Sequence, residues 1–315
     1  NHANNDGAIK FQKEAKIAGI RPIFGAELYL VEDIHIKEKG ENRKHITILV
    51  RNTTGWKNLN KMLTIANFEG FYHRPRISPE ILCKHIDGLI ISTACSSSFI
   101  TENWGEKLLQ EISSLIPEYV FMEIMPHKYK EQMEINVLAN RLAERYDIKM
   151  VATNDCHYVY KDDAKNHEIL LAMQTKKKWK DQTRWKFSVY GLFLKSAAEM
   201  ADAFIDQKCL LSCVFAKAME NTIFISELCS SFSIDQLETD LPDITNKPAE
   251  MEDSIFLSQL CEKRFKKKIT ESESRSIKLK EYRNRLDEEL NIIIRQGFSR
   301  YFLIVWELVD WCKSN

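Results

Sequence analysis

The chain has 315 residues, of which 44% are hydrophobic, so it can form the core of one large domain or of two ordinary ones. Its 45 basic and 45 acidic side chains give a formal net charge of zero, which excludes a global basic field, so nucleic-acid contacts must come from a local patch. No apolar run approaches the roughly 18 residues of a membrane-spanning helix, no signal peptide is visible, and eight scattered cysteines are typical of reduced thiols. We therefore expect a cytoplasmic protein that does not contact a membrane.

The first half of the chain alternates between patterns typical of helices and patterns typical of strands. A helix is predicted for residues 8–18, ending at Gly19, and another begins at Ser78, which caps a first turn that contains Pro79. The other predictions in this half are strands at residues 23–31, 45–51, 89–92, 119–124 and 149–152, and helices at 54–66, 107–115 and 130–145. This alternation favours an α/β fold with a largely parallel sheet, either open or closed into a barrel.

From Asp162 onward the alternation fades and helical spacing dominates. Residues 237–253 contain prolines and acidic residues and are predicted to be a linker, which places a domain boundary near residue 236. Both ends look cut, since the chain starts at Asn1 without a methionine and stops directly after an apolar helix, so we expect a piece of a longer polypeptide. The predicted helices of this half cover residues 162–173, 196–204, 208–229, 254–265, 278–296 and 301–312.

The most informative stretch is residues 151–158, where a short apolar strand ends in a polar turn. Asp155 and His157 stand two positions apart just after this strand, so a carboxylate and an imidazole can point into one pocket, as in half of a metal site. The other metal-type ligands lie in four separate segments. They are His2, Glu27, His45 and Cys95. His45 precedes its predicted strand whereas the other segments lie at or near strand ends, which predicts a distorted or locally antiparallel arrangement there.

Imidazole, carboxylate and thiolate together suit zinc, manganese or iron. Two or three such metals in a cluster polarise a phosphate and generate a hydroxide nucleophile near neutral pH. The alternative is that these residues are ordinary ones, with Cys95 a buried thiol and Glu27 on the exposed face of a strand. The remaining histidines fit no ligand pattern, and for them we predict no role; they are His35, His73, His85, His127 and His167.

Two basic stretches are candidates for contact with nucleic acid. Lys176, Lys177 and Lys178 precede Trp179, and Arg74 and Arg76 lie in an aromatic-rich segment. Positive charge next to an aromatic ring suits a phosphate backbone and a stacked base. A solvated loop is the alternative in both places, as it is for the lysines at 266–268.

Taken together, these segments resemble one known family, the bacterial replicative (C-family) DNA polymerase III alpha subunits. Asn1-His2-Ala3-Asn4 resembles the family's Asp-His-Gly-Asn segment, and Val151-Ala152-Thr153-Asn154-Asp155-Cys156-His157 fits the same family. The resemblance covers essentially the whole chain and also includes residues 7–11, 19–27, 67–76, 88–95, 221–222, 241–243 and 297–306.

The resemblance implies that residues 1–235 are most of a polymerase-and-histidinol-phosphatase (PHP) domain, a distorted (βα)7 barrel, without its N-terminal strand. Residues 236–253 would be a linker and residues 254–315 the start of the polymerase palm, in a mainly helical segment. In metal-binding relatives the PHP site holds up to three metals and supports 3′→5′ exonuclease or phosphoesterase chemistry. The positions that match the family's ligands are His2, Glu27, His45, Cys95, Asp155 and His157.

The chain also departs from the family pattern. The first His-x-His motif would lie upstream of residue 1, Asn1 stands where relatives carry Asp, and Ala3 stands where they carry Gly. A missing carboxylate beside His2 would weaken the orientation of its imidazole. The catalytic aspartates of polymerisation would follow residue 315, so this chain alone is not expected to polymerise DNA.

We therefore predict part of a DNA-directed DNA polymerase whose PHP domain binds divalent metals. The resemblance implies magnesium for the polymerase reaction, and DNA, a proofreading exonuclease, a sliding clamp and a clamp loader as partners. The first alternative is a non-catalytic module that docks the proofreading exonuclease. A stand-alone phosphoesterase would not need residues 254–315, and an error-prone paralogue of the alpha subunit is the last alternative.

Overall fold

A computed structural model describes residues 2–38, 42–187, 191–234, 241–270 and 278–314. The chain divides into two units, Asn1–Gln236 (unit 1) and Leu237–Asn315 (unit 2). Unit 1 combines a β-sheet with helices, whereas the described part of unit 2 is helical, so the predicted mixed α/β class is confirmed. Within the described ranges, no helix is both long and apolar enough to cross a membrane.

The elements of unit 1 follow the predicted alternation closely. Its strands are β1 (Gly25–Leu30), β2 (Lys44–Val50), β3 (Arg76–Ile77), β4 (Leu89–Ser92), β5 (Val120–Ile124) and β6 (Lys149–Ala152). Its helices are α1 (Ala8–Ile17), α2 (Thr53–Phe68), α3 (Pro79–Lys84), α4 (Gly105–Leu115), α5 (Lys130–Tyr146), α6 (Ala164–Gln174), α7 (Ala197–Gln207) and α8 (Ser212–Leu228). Only β3 was not predicted among these strands. The helix predicted to start at residue 208 begins at Ser212 instead.

The described strands form one sheet in the order β3-β1-β2-β4-β5-β6. β2 runs antiparallel to both of its neighbours, and the other neighbouring pairs are parallel. The local antiparallel arrangement predicted at His45 is therefore confirmed, because His45 lies at the start of β2. The closed (βα)7 barrel is not confirmed, since the strand order leaves β3 and β6 as edges in the part of the sheet that the structure describes.

The central strands are apolar because helices cover the sheet on both faces. Every residue of β4 and of β5 is buried, which is the pattern expected for strands packed on two sides. Leu59 of α2, Leu109 of α4 and Ala139 of α5 pack with one set of strand residues. Ile225 of α8 packs with Phe121 in a second cluster. This packing holds the strands in place, and with them the loops that follow their ends.

Helix α2 sets the position of β4 through an unusually close backbone contact. A Cβ on Gly55 would lie 1.9 Å from the carbonyl oxygen of Gly88, so only glycine fits there. Gly88 itself has a φ of +74°, a conformation that glycine adopts without strain. Asn52 caps α2 by accepting a hydrogen bond from the Gly55 amide at 3.0 Å. These contacts hold the start of β4 close against the first turn of α2.

Unit 2 contains the helices α9 (Asp253–Thr270), α10 (Leu279–Arg295) and α11 (Ser299–Ser314). Ile244, Leu257 and Leu303 form its small buried core. Residues 241–252 contain no helix or strand, and residues 235–240, where the predicted linker begins, lie outside the described residues.

Candidate metal centre

The six predicted ligand residues, drawn from five separate segments, line one cavity of about 640 Å³ in unit 1. We call it the ligand cavity. It lies where β1, β4 and β6 end and where β2 begins, because β2 runs opposite to the other three strands. Side chains that follow parallel strands meet at one edge of a sheet, which is where α/β folds form their sites. The residues brought together are His2, Glu27, His45, Cys95, Asp155 and His157.

Three of these residues form a tight cluster. His2 Nε2 lies 3.3 Å from one carboxylate oxygen of Glu27, and His45 Nδ1 lies 2.6 Å from the other. One potential ligand atom from each of the three residues lies within 4.8 Å of the other two. His2 is held next to β1 because the Ala3 amide donates to the Glu27 carbonyl at 2.8 Å. Strand pairing therefore fixes two of the three residues, and a backbone bridge fixes the third.

Tyr29 supports this cluster from the neighbouring position on the same face of β1. Its ring stacks on His2, with centroids 5.1 Å apart, and meets His45 edge-on at 5.3 Å. Tyr29 is not among the predicted site residues. A tyrosine two residues after a glutamate on the same strand was the available signal, since side chains at i and i+2 share a face.

The cluster is electrostatically coupled. Burial alone would lower the pKa of His45, but hydrogen bonds with Cys95 and Glu27 outweigh it and raise that pKa to about 10. Burial opposes ionisation of Glu27, yet the hydrogen bond with His45 leaves its pKa below the usual value. Burial lowers the pKa of His2. A carboxylate between two imidazoles is a donor set that suits zinc, manganese or iron.

The other three residues approach the cluster from the ends of β4 and β6. Cys95 Sγ lies 3.5 Å from His45 Nδ1. His157 Nδ1 lies 3.7 Å from a carboxylate oxygen of Asp155 and 2.7 Å from its backbone carbonyl oxygen. The His157 amide donates to the Leu192 carbonyl at 2.8 Å, which anchors this loop. Burial raises the pKa of Asp155.

The backbone is strained next to these residues. Ala3, Ala94 and Asp155 have φ angles of 51°, 60° and 45°, in the left-handed region that residues other than glycine rarely adopt. Ala3 follows His2, Ala94 precedes Cys95, and Asp155 is itself a predicted ligand. Such strain is typical of positions that a functional site holds in place.

A buried glutamate connects the two loops that carry Cys95 and Asp155. Glu123 on β5 accepts hydrogen bonds from the Ala94 amide at 3.0 Å, from the Thr153 hydroxyl at 2.5 Å and from the Ser92 hydroxyl. It is almost completely buried, and burial raises its pKa. Glu123 is not among the predicted site residues, although an acidic residue inside an apolar strand is a signal of an internal partner.

His127, for which the sequence predicts no role, also lines the cavity. It is buried in the wall of the ligand cavity, and its Nε2 lies 3.2 Å from the Asn154 carbonyl oxygen. Burial is the largest influence on its pKa, which falls to about 4. Because a carbonyl oxygen only accepts, Nε2 carries the proton and Nδ1 keeps a lone pair. The described lining of the cavity does not include the other histidines without a predicted role, His35, His73, His85 and His167.

The predicted nucleic-acid contacts lie in different environments. Arg74 is exposed and lines the ligand cavity. Arg76 is fully buried, and its guanidinium donates to the carbonyls of residues 34, 36 and 70 at 2.6–2.9 Å, so it is not available to a phosphate. Its predicted contact with nucleic acid is therefore wrong. The lysines at 176–178 are exposed after the end of α6 and do not line the cavity.

Comparison with known proteins identifies both parts of the chain. Residues 1–131 match the model of the PHP domain family, and residues 255–315 match that of the bacterial DNA polymerase III alpha NTPase domain. The chain is 33% identical to the DNA polymerase III subunit alpha of Borreliella burgdorferi, in an alignment covering all of the chain and 27% of that protein. It is 28% identical to the subunit of the same name from Thermus aquaticus, covering all of the chain and 30% of that protein.

The subunit alpha of Aquifex aeolicus is 30% identical to the chain, with all of the chain and 28% of that protein covered. The chain thus spans less than a third of the length of these relatives. The family resemblance carried by its motifs is confirmed from end to end. The chain is therefore homologous, over its whole length, to the PHP-containing region of bacterial DNA polymerase III alpha subunits.

Proposed function

We propose that the chain is part of a DNA-directed DNA polymerase. We also propose that its PHP domain carries a divalent-metal site that hydrolyses phosphodiester bonds. The observation that carries the metal site is the convergence of six ligand-type side chains from five segments in one cavity. The tight cluster of His2, Glu27 and His45 supports it further. Homology to polymerase subunits supports nucleic acid as the substrate.

The proposal divides the side chains into metal ligands and residues that hold the ligands in position. His2, Glu27, His45 and Cys95 would hold one end of the site, and Asp155 with His157 would hold the other, for up to three ions of zinc, manganese or iron. When bound, these metals polarise a phosphodiester and activate water near neutral pH. Glu123 keeps the Cys95 loop and the Asp155 loop at a fixed separation through its three hydrogen bonds. Tyr29 limits rotation of the His2 ring.

The proposal extends by homology to the intact polymerase. Its polymerisation reaction would use magnesium, and its partners would be DNA, a proofreading exonuclease, a sliding clamp and a clamp loader, in the cytoplasm. A non-catalytic role for the PHP domain is the second candidate. It is favoured by Cys95, because thiolates are frequent ligands of structural zinc. In that case the metals would stabilise a surface that binds the proofreading exonuclease.

A double substitution tests the metal site. Asp155→Asn combined with His157→Ala should remove at least one equivalent of metal, measured by inductively coupled plasma mass spectrometry on protein purified without chelators. The matched control is Asp33→Asn with His35→Ala, an exposed Asp-x-His pair outside the ligand cavity. Unchanged metal content in the first variant would contradict the proposal.

Activity separates the two candidate functions. With zinc, manganese or iron added, the unsubstituted chain should hydrolyse bis(p-nitrophenyl) phosphate and single-stranded DNA, and the Asp155/His157 variant should lose at least about a hundredfold in rate. The control pair should keep full activity. If the metal is bound but no hydrolysis occurs, and if removal of the metal lowers the thermal stability and the binding of a proofreading exonuclease, the non-catalytic role is correct.

A further inference from the structure

Three exposed side chains line the ligand cavity without belonging to the predicted ligand set. They are Arg74, Trp185 and Lys186, and we call them the cavity mouth. The side chain of Trp185 is large and apolar, yet the residue is 54% exposed. Because these three side chains line the cavity and are exposed, an aromatic ring and two positive charges are accessible to a ligand there.

The two cations have no anionic partner within the described residues. Neither Arg74 nor Lys186 forms a salt bridge there, although the carboxylates of Glu27 and Asp155 line the same cavity. Those carboxylates instead face the imidazoles of the predicted ligand set. The charge of Arg74 and Lys186 is therefore available to an anion that enters the cavity.

The aromatic rings form a continuous row from the mouth to the predicted ligands. The ring of Trp185 meets Phe187 edge-on, with centroids 4.7 Å apart, and Phe187 meets His157 in the same way at 4.8 Å. Trp185 keeps its 54% exposure in spite of the contact with Phe187, so part of its indole ring is open to a ligand. A flat ligand can therefore stack on Trp185 while its neighbouring atoms reach toward His157.

We propose that the cavity mouth binds an unpaired nucleic-acid strand, with one base stacked on Trp185 and the flanking phosphates paired with Arg74 and Lys186. The inference rests on the proposed function, since it supplies the phosphodiester that the ligand cavity would cleave. A small phosphate monoester would use the cations but leave the indole without a partner. A base in a duplex already stacks on its neighbours and is paired, so it is excluded from the indole unless the end opens.

The test measures binding of a fluorescein-labelled, phosphorothioate-linked oligothymidylate by anisotropy, with zinc present. Trp185→Ala should weaken binding about tenfold, the loss typical of one stacked base, and Trp185→Phe should retain most of the affinity. Arg74→Ala and Lys186→Ala should each weaken binding and reduce its salt dependence. The matched controls are Trp311→Ala and Lys107→Ala, which change exposed residues outside the lining of the cavity and should leave the affinity unchanged.

The outcomes separate this proposal from the proposed function. Metal content should be the same in Trp185→Phe, Lys186→Ala and the unsubstituted chain, and the unsubstituted chain should hydrolyse bis(p-nitrophenyl) phosphate whether or not the cavity mouth binds a strand. If the chain hydrolyses this diester but the mouth variants bind the oligonucleotide as well as the controls do, the cavity mouth is overturned and the metal site stands. If no diester is hydrolysed but the mouth variants still lose affinity, the cavity mouth stands and the proposed hydrolysis is overturned.

Competition experiments define the ligand. An unlabelled single strand of DNA or of RNA should displace the probe, and the relative affinities of the two show which sugar is preferred. A blunt duplex of the same length should compete at least about tenfold less well. Equal competition by the duplex would overturn the proposal that the strand is unpaired.

Discussion

Units 1 and 2 use their polar side chains in opposite ways. In unit 1, buried polar groups such as Glu123, Gln132 and Asn136 lie inside the fold and form hydrogen bonds there. In the described part of unit 2, Ser299 is the only buried polar residue, and ion pairs such as Arg283 with Glu262 join the helices at the surface. In unit 1, buried hydrogen bonds therefore hold side chains and loops in position. Unit 2 is stabilised mainly by its small apolar core.

The difference follows from the secondary structure. Strands of a sheet end at a common edge, so polar residues placed just after them converge, and a buried residue such as Glu123 can connect two neighbouring loops. Helices of unit 2 pack along their sides, so their charged residues remain at the rim. This comparison predicts that polar substitutions matter most in unit 1 and apolar truncations matter most in unit 2.

The largest effect is expected for Glu123→Leu. The substitution leaves the Ser92 and Thr153 hydroxyls and the Ala94 amide without an acceptor in a buried space. We expect the free energy of unfolding of unit 1 to fall by about 4 kcal/mol, because three unsatisfied groups cost about 1–3 kcal/mol each and the loops relax in part. Chemical denaturation followed by circular dichroism measures the change.

The variant Glu123→Gln distinguishes positioning from stability. Its amide oxygen can still accept hydrogen bonds, so the expected loss is only about 1 kcal/mol. If Glu123 positions the ligand loops, Glu123→Leu should also lower the metal affinity at a temperature where the variant is folded, and Glu123→Gln should restore it. Metal titrations that gave the same affinity in both variants would assign Glu123 a purely structural role.

Leu303→Ala tests the other half of the comparison, because it truncates an apolar side chain in the core of unit 2. Leu303 is fully buried beside Ile244 and Leu257, and the described part of this unit offers few other buried apolar side chains. We expect a loss of about 3 kcal/mol in the unfolding free energy of unit 2, typical of a leucine truncated inside a core. Amide hydrogen exchange in α9 and α11 should accelerate accordingly.

The control on the same helix is Leu308→Ala, which truncates a side chain that is 63% exposed. This variant should change hydrogen exchange little, and neither variant should change the metal content of unit 1. A loss of metal in Leu303→Ala would contradict the separation of roles between the two units.

The sequence predicted what depends on local pattern and missed what depends on a distant partner. Apolar runs predicted β4, β5 and β6, and the ends of those strands predicted that Cys95 and Asp155 would meet. The antiparallel placement of His45 also followed from its position before a strand. The side chains that were missed act through tertiary neighbours, since the partners of Glu123 lie 29 to 31 residues away along the chain.

Arg76 shows the limit most clearly. A charged residue next to an aromatic segment is typical of an exposed site, yet its guanidinium is buried against three backbone carbonyls. Those carbonyls belong to the loop after β1 and to Gly70, just past the end of α2, and nothing in the sequence shows that they need a donor. The same reason explains why β3, which begins at Arg76, was not predicted.

The smallest expected effect is the pH dependence of an ion-pair network in unit 2. Arg300 Nε lies 2.8 Å from one oxygen of Asp253 and Lys247 Nζ lies 3.2 Å from the other. Burial opposes ionisation of Asp253, but these two cations hold its pKa below the usual value of 3.8. Since the folded state lowers this pKa, the stabilisation is fully present above about pH 4 and is lost as the pH falls through the folded value.

Asp253→Asn should therefore reduce the unfolding free energy of unit 2 by about 1 kcal/mol at pH 7 and by less at pH 3, where the aspartate is losing its charge. Hydrogen exchange of α9 at the two pH values measures the difference, and high salt should diminish it at pH 7. Glu252→Gln, at the exposed neighbouring residue, is the control and should show no such change. Equal losses at both pH values would mean that Asp253 acts as a hydrogen-bond acceptor at the start of α9 and that its charge contributes nothing, which would leave the apolar core as the main source of stability in unit 2.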